Sequence, residues 1–158
     1  MERDIARLRT VADYQFGAGT GHTLFPPGGS FDVSYSSGGR PRQVHAGGVR
    51  LVSYGTDGRF TLGVEGGRRL VGALAPPAVR VAVGEESIPF VRDGRNAFAK
   101  FVRAVDPDVR PGDEVAVVDG DDEVLGVGRA ELSASAMADF DTGVAVSVRH
   151  GAGAPGDA

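Results

Sequence analysis

Glycine and proline decide what this chain can fold into. With 25 Gly and 9 Pro spread through 158 residues, no apolar run goes far before a turn interrupts it. Short apolar runs cut by turn residues read as strands rather than long helices. Apolar residues make up 41% of the chain, enough to bury a core. The expected fold is therefore α+β and mostly β. The length allows one medium domain or two small ones. It is short of the roughly 250 residues of a complete barrel enzyme.

The chain has no Cys, which excludes a disulfide framework and thiolate zinc sites. Residues 1–10 alternate in charge without an apolar centre, so no secretory signal is expected. Nowhere do about 18 apolar residues run together, so no membrane span is expected and the default location is the cytoplasm. The net charge is −4. That balance opposes a nucleic-acid ligand, because phosphate binding depends on Lys and Arg. Yet 16 of the 17 basic residues are Arg, and only Lys100 is Lys. Many carboxylates with almost no Lys fit a salt-adapted protein, in which local Arg clusters say more than net charge.

The charge is also uneven. Residues 1–77 carry nine Arg against six acids, and residues 78–158 carry eight basic residues against fifteen acids. The shift falls at Pro76-Pro77, which reads as a linker, and the domain boundary is placed there with domains at 1–77 and 78–151. In the first domain Ile5, Leu8, Val11 and Ala12 form one stripe of a short helix that Gly17 ends. Strands follow over 31–35, 42–45, 49–54 and 59–64. Thr56-Asp57-Gly58 and Gly66-Gly67 are expected to be turns. In the second, 79–83 is a strand, and Phe98, Phe101, Val102 and Val105 predict a helix over 96–105. Strands follow over 114–118, 124–130 and 144–149, with a short helical turn capped by Ser133. The tail 152–158 is expected to be disordered.

Two stretches carry an identification. Arg110-Pro111-Gly112-Asp113-Glu114-Val115 launches a strand, and Leu125-Gly126-Val127-Gly128-Arg129-Ala130 returns from a polar hairpin. With Asp93-Gly94-Arg95-Asn96 upstream and Gly143-Val144-Ala145-Val146 downstream, this ordered set resembles the PUA domain over about residues 78–151. The resemblance implies a small pseudo-barrel that binds structured RNA, with a glycine-led first helix near Gly94. Ala12-Asp13-Tyr14-Gln15-Phe16-Gly17 and Ser37-Gly38-Gly39-Arg40-Pro41-Arg42 look like the small α/β domain that precedes PUA in archaeal tRNA-guanine transglycosylases. There the two domains hold the tRNA while a separate barrel exchanges the base. The resemblance thus implies tRNA as the target and a tRNA-modification enzyme as a partner. Lacking the barrel and its Cys-containing zinc site, this chain is expected not to be an enzyme, with no catalytic residue, cofactor or metal.

The expected RNA contacts follow from what phosphates need, namely Arg or Lys heads and free backbone N–H groups at a helix start. Arg92, Gly94, Arg95, Asn96, Lys100 and Arg103 supply them in one stretch, and Arg149 joins from the closing strand. Arg40 and Arg42 are the candidates of the first domain. Blander readings suffice elsewhere. Gly17 to Gly21 has no preceding strand and no Lys-Ser/Thr ending, so a helix cap explains it better than a phosphate loop. His22, His45 and His150 lack metal-ligand spacing. Ser34, Ser36 and Ser37 lack a nucleophile elbow. Asp119 to Glu123 is a polar hairpin tip without the calcium-loop pattern. The alternative function is a protein-interaction subunit that docks a modification enzyme and contacts RNA only in the complex, for which the acidic second half speaks. A small hydrolase or transferase has only isolated Asp, Ser and His residues in its favour.

Overall fold

The computed structural model describes residues 2–154. The chain divides into two compact units, the first ending at Ala73 and the second starting at Leu74. Each has its own core.

In the first unit, helix α1 (Glu2–Phe16) buries Ile5, Leu8 and Ala12, the spacing read from the sequence, and Gly17 follows it with φ 118°. A short helix α2 (Thr20–Leu24) starts inside the glycine run that the sequence reads as a cap. The buried Thr20 hydroxyl donates to the carbonyls of Ala12 and Gly17, binding α2 to α1. Strands β1 (Asp32–Tyr35), β2 (Pro41–Ala46), β3 (Val49–Tyr54) and β4 (Phe60–Leu62) form an antiparallel meander in chain order. Register places Val33, Val44, Val52 and Leu62 in one cross-strand row. Phe25 meets Phe31 and Phe60 edge-on, with ring centroids 5.8 and 6.0 Å away.

Helix α3 (Val64–Ala73) corrects the sequence reading, which runs a strand to Val64 and puts a turn at Gly66-Gly67. Both glycines are buried in the helix. A Cβ on Gly66 would lie 2.1 Å from the Leu51 carbonyl oxygen, so the missing side chain is what lets α3 close on β3. Glycine here serves packing, and sequence alone does not separate that use from a turn.

The second unit is a six-stranded sheet in the order β6-β10-β9-β8-β5-β7 that curls into a nearly closed pseudo-barrel. Its strands are β5 (Arg80–Val83), β6 (Ala97–Phe98), β7 (Val102–Val105), β8 (Glu114–Val118), β9 (Val124–Ala130) and β10 (Val144–Gly151). All pairs are antiparallel except β5 with β8. The core gathers Val81, Val83, Val91, Val115, Val117, Leu125, Met137 and Val146. Helices α4 (Ile88–Arg92) and α5 (Ala134–Asp139) are short, and the Ser133 hydroxyl caps α5 by accepting from the Ala136 N–H at 3.2 Å.

Val79, just before β5, has a φ of 65°, a strained value for a β-branched residue. Its neighbours hold it there, since its N–H donates to Asp106 Oδ2 at 2.8 Å and its carbonyl accepts from Ala116 at 2.9 Å. Beside it the buried Arg80 grips both Asp122 oxygens at 2.6 and 2.9 Å and the Leu74 and Ala78 carbonyls.

The expected helix over 96–105 is a second correction. That stretch is β6, a 3₁₀ turn (Ala99–Phe101) and β7, and the helix lies earlier, at α4. Phe98 pairs with Val144, while Val102 and Val105 pair with Val83 and Val81. The apolar spacing that mimics a helical face is thus divided between two edge strands. At the other end, Ala152 donates to Leu125 and Gly153 to Arg92, tying the first residues of the tail to the barrel. The rest of the expected disordered tail, 155–158, lies outside the described residues.

Candidate nucleic-acid interface

Helix α4 ends in a tight reversal. Gly94 has φ 86°, and the N–H groups of Asp93, Gly94 and Arg95 donate to the carbonyls of Pro89, Val91 and Phe90. The glycine thus closes a helix C-terminus and does not lead a helix, so the N–H groups expected to cradle phosphate are spent inside the protein.

A groove of about 680 Å³ lies between α4 and the β6 turn. Gly94, Arg95, Asn96 and Lys100 line it, together with Phe90, Phe98 and Phe101. Arg95 is 68% exposed, stands 3.7 Å from Asp93 and lies 5.9 Å above the Phe90 ring. Lys100 Nζ is 4.9 Å from the Phe101 ring centre. The Asn96 side-chain oxygen accepts from the Val148 N–H at 3.1 Å, fixing the groove floor to β10. Phe90 and Phe98 are 51% and 44% exposed, unusual for phenylalanine. Two exposed cations beside two open aromatic faces can hold phosphates and stack bases.

The other expected contacts lie outside this groove. Arg92 is only 10% exposed; it donates to the Gly153 carbonyl at 3.2 Å and lies 3.4 Å from Glu123. Arg103 pairs with Glu86 at 3.2 Å. Arg149 is held by both oxygens of the buried Glu114. In the first unit Arg40 stacks 4.3 Å over Tyr54 and donates to the Tyr54 and Gly55 carbonyls. Arg42 stands exposed on β2. Charge counting along the sequence does not distinguish an arginine that faces solvent from one that ties two loops together.

Phe90 and Phe98 are the residues that sequence reasoning misses. The apolar spacing assigns Phe98 to a buried helical face, and Phe90 follows an Ile-Pro step that looks like any core segment. The available signal is their company, since Arg92, Asp93, Arg95 and Asn96 crowd them within a few positions. Among the described residues no group of three or more His, Cys, Asp or Glu could hold a metal ion, and no helix is long and apolar enough to cross a membrane.

A nearly closed sheet with one parallel strand pair, a glycine-closed helix and an aromatic, basic groove beside it defines a PUA-type pseudo-barrel. Family comparison agrees: residues 79–152 match the PUA domain, and residues 6–77 match the patch-forming domain C2 of tRNA-guanine transglycosylase. The chain thus belongs with the proteins that join these two domains, as the C-terminal portions of archaeal tRNA-guanine transglycosylases do. It is 42% identical to the tRNA-guanine(15) transglycosylase of Pyrococcus furiosus over 151 residues, 95% of this chain and 25% of that protein. It is 44% identical to that of Methanothermobacter thermautotrophicus over 149 residues, 94% of this chain and 23% of that protein. The chain thus spans about a quarter of the length of the curated relatives it matches. A hypothetical protein of Pyrococcus horikoshii shares the fold with a TM-score of 0.76 at 20% identity, covering 96% of this chain and 92% of that one. A conserved PUA domain protein of Thermoplasma acidophilum does so with 0.68 at 21%, covering 98% and 93%.

Proposed function

We propose that this protein binds RNA, with tRNA as its target, and serves a tRNA-modification enzyme without catalysing the reaction itself. The observation that carries the reading is the groove beside α4, where Arg95 and Lys100 flank the exposed rings of Phe90 and Phe98. The two relatives supply the RNA class, since both are named for a reaction on tRNA guanine. Within the groove Arg95 and Lys100 take phosphates, Asn96 holds the floor, and the phenylalanines stack bases. Gly94 shapes the turn. Arg92, Arg103 and Arg149 support the site through their partners, and Arg42 is an outlying contact. The carboxylate-rich, Lys-poor surface suits a salt-adapted cytoplasmic protein.

Filter retention of bulk tRNA tests the reading, first at moderate salt and then at high salt. Retention no greater than that of an unrelated acidic protein sinks it. Arg95→Glu with Lys100→Glu is expected to weaken retention at least tenfold, whereas Arg110→Glu, an exposed site outside the groove, leaves it within about twofold. Equal losses remove the site assignment. A second reading, a subunit that docks a modification enzyme and meets RNA only in the complex, is favoured by the acidic balance of residues 78–158. Tight binding of tRNA by the protein alone counts against it.

A further inference from the structure

Tyr14 is 89% exposed, well above Phe90 at 51%, the next most exposed large hydrophobic side chain among the described residues. It stands on α1 in register with Arg3, Arg7 and Thr10, at spacings of four, three and four residues. At 3.6 residues per turn these four side chains fall within about 60° of one another, along roughly 17 Å of helix. All four are exposed, on the side of α1 away from the buried Ile5, Leu8 and Ala12. No described residue forms an ion pair with Arg3 or Arg7. Of the carboxylates on this helix Glu2 is exposed in the first turn, while Asp4 Oδ2 accepts from the Tyr35 hydroxyl at 2.7 Å and Asp13 Oδ1 accepts from the Gly21 N–H at 2.8 Å. Tyr14 borders a groove of about 430 Å³ that it shares with Val11, Gln15, Gly58 and Arg59. The Gln15 amide is occupied by Phe60.

The geometry points to a second nucleic-acid contact on this face of α1, where Arg3 and Arg7 hold successive phosphates of one RNA strand and Tyr14 stacks a base of that strand. The inference rests on the RNA-binding reading above, but names different residues in the other unit. Arg3 and Arg7 are one turn, about 6 Å, apart, a separation comparable to that of neighbouring phosphates on a strand. Guanidinium groups take phosphate oxygens in pairs, and carboxylate oxygens equally well. The tyrosine decides between the two kinds of polyanion. A polyglutamate has no ring to lay on it, whereas any base does, whatever the sequence.

The chain has no Trp, so Tyr14→Trp places a single indole reporter on an otherwise silent background. Oligocytidylate is expected to quench the emission of that introduced tryptophan, while polyglutamate of equal charge does not. Tyr14→Ala is expected to weaken tRNA retention about tenfold, and Tyr14→Trp to restore it. Arg3→Gln with Arg7→Gln is expected to lower the slope of log K against log salt by about 1.4, the change for two lost phosphates on a single strand. All four side chains are exposed, so these variants fold. Retention that is lost with Arg95→Glu/Lys100→Glu but is indifferent to Tyr14→Ala overturns the α1 contact and leaves the RNA reading standing. Equal quenching by polyglutamate also overturns it. Quenching by oligocytidylate that falls with the arginine pair, in a protein that retains no tRNA, supports the α1 contact and removes the tRNA reading. No quenching and no retention removes both.

Discussion

The side-chain amide of Gln15 takes the place of a fifth strand. Its nitrogen donates to the Phe60 carbonyl at 2.8 Å and its oxygen accepts the Phe60 N–H at 2.7 Å, so the open edge of β4 is closed by α1. An unpaired strand edge invites another chain, and an unpaired half-buried backbone group costs free energy. Gln15→Leu is expected to destabilise the protein by about 1–3 kcal/mol in urea unfolding. The Tyr35–Asp4 hydrogen bond makes a second prediction at this scale. Asp4 accepts the phenolic proton and holds the Tyr35 pKa above the ordinary 10.0, with a little further help from desolvation and from the negative charge of Asp4. Because the folded-state value is raised, the stabilisation is complete below the ordinary tyrosine range and is lost as pH rises through the folded value. Ultraviolet titration is expected to show Tyr35 ionising late, and Asp4→Asn is expected to bring it down towards its ordinary value. An unmoved late transition would remove Asp4 as its cause.

At the scale of elements, α3 shows what its glycines do. Gly66 sits against the Leu51 carbonyl with no room for a Cβ, while Gly72 on the same helix has nothing within 4 Å. Alanine is the better helix former by about 1 kcal/mol, so propensity predicts the same gain at both sites. The structure predicts opposite signs. Gly72→Ala is expected to stabilise by about 0.5–1 kcal/mol. Gly66→Ala is expected to destabilise, because backbone of α3 or β3 must move to admit the methyl group. Thermal unfolding of the two variants side by side checks this, and a gain at Gly66 would refute the packing argument. The stretch 96–105 teaches the complementary lesson. Its apolar spacing fits a helix, yet its residues are strand partners of Val144, Val81 and Val83. Periodicity reports which residues share a face only once the element type is known.

For the whole molecule, the proposed function raises the question of how a protein with a net charge of −4 would bind a polyanion. Much of its arginine is internal tie: Arg40, Arg80, Arg92 and Arg149 are spent on carbonyls and carboxylates. On the proposed reading Arg3, Arg7, Arg42, Arg95 and Lys100 remain for phosphate. Five such contacts give a slope of log K against log salt of about −3.5 on single-stranded RNA. Titration of tRNA binding from low to high salt is expected to give that shallow value. A slope beyond about −6 would mean that other cations carry the binding. On the proposed reading, a shallow slope leaves stacking on Phe90, Phe98 and Tyr14 to supply the share of affinity that salt does not erode.

The sequence by itself determined the strand-rich class, the α1 stripe, the meander at β1 to β4, and the Pro-Gly-Asp turn with its paired strands. Each is local: a turn residue or an apolar period fixes it within about ten positions. The grouping of Gly94, Arg95, Asn96 and Lys100 along one groove was legible because they are neighbours in the chain as well as in space. Only the tertiary structure decided that Gly66 lets a helix close on a strand and that Gly94 ends a helix rather than starting one. It also decided that Arg92 is turned inward, that Arg149 is tied to the buried Glu114, and that Phe90 and Phe98 face out. The physical reason is common to all of these. A glycine, an arginine or a phenylalanine takes its role from what packs against it, and those partners are supplied by residues distant in the chain.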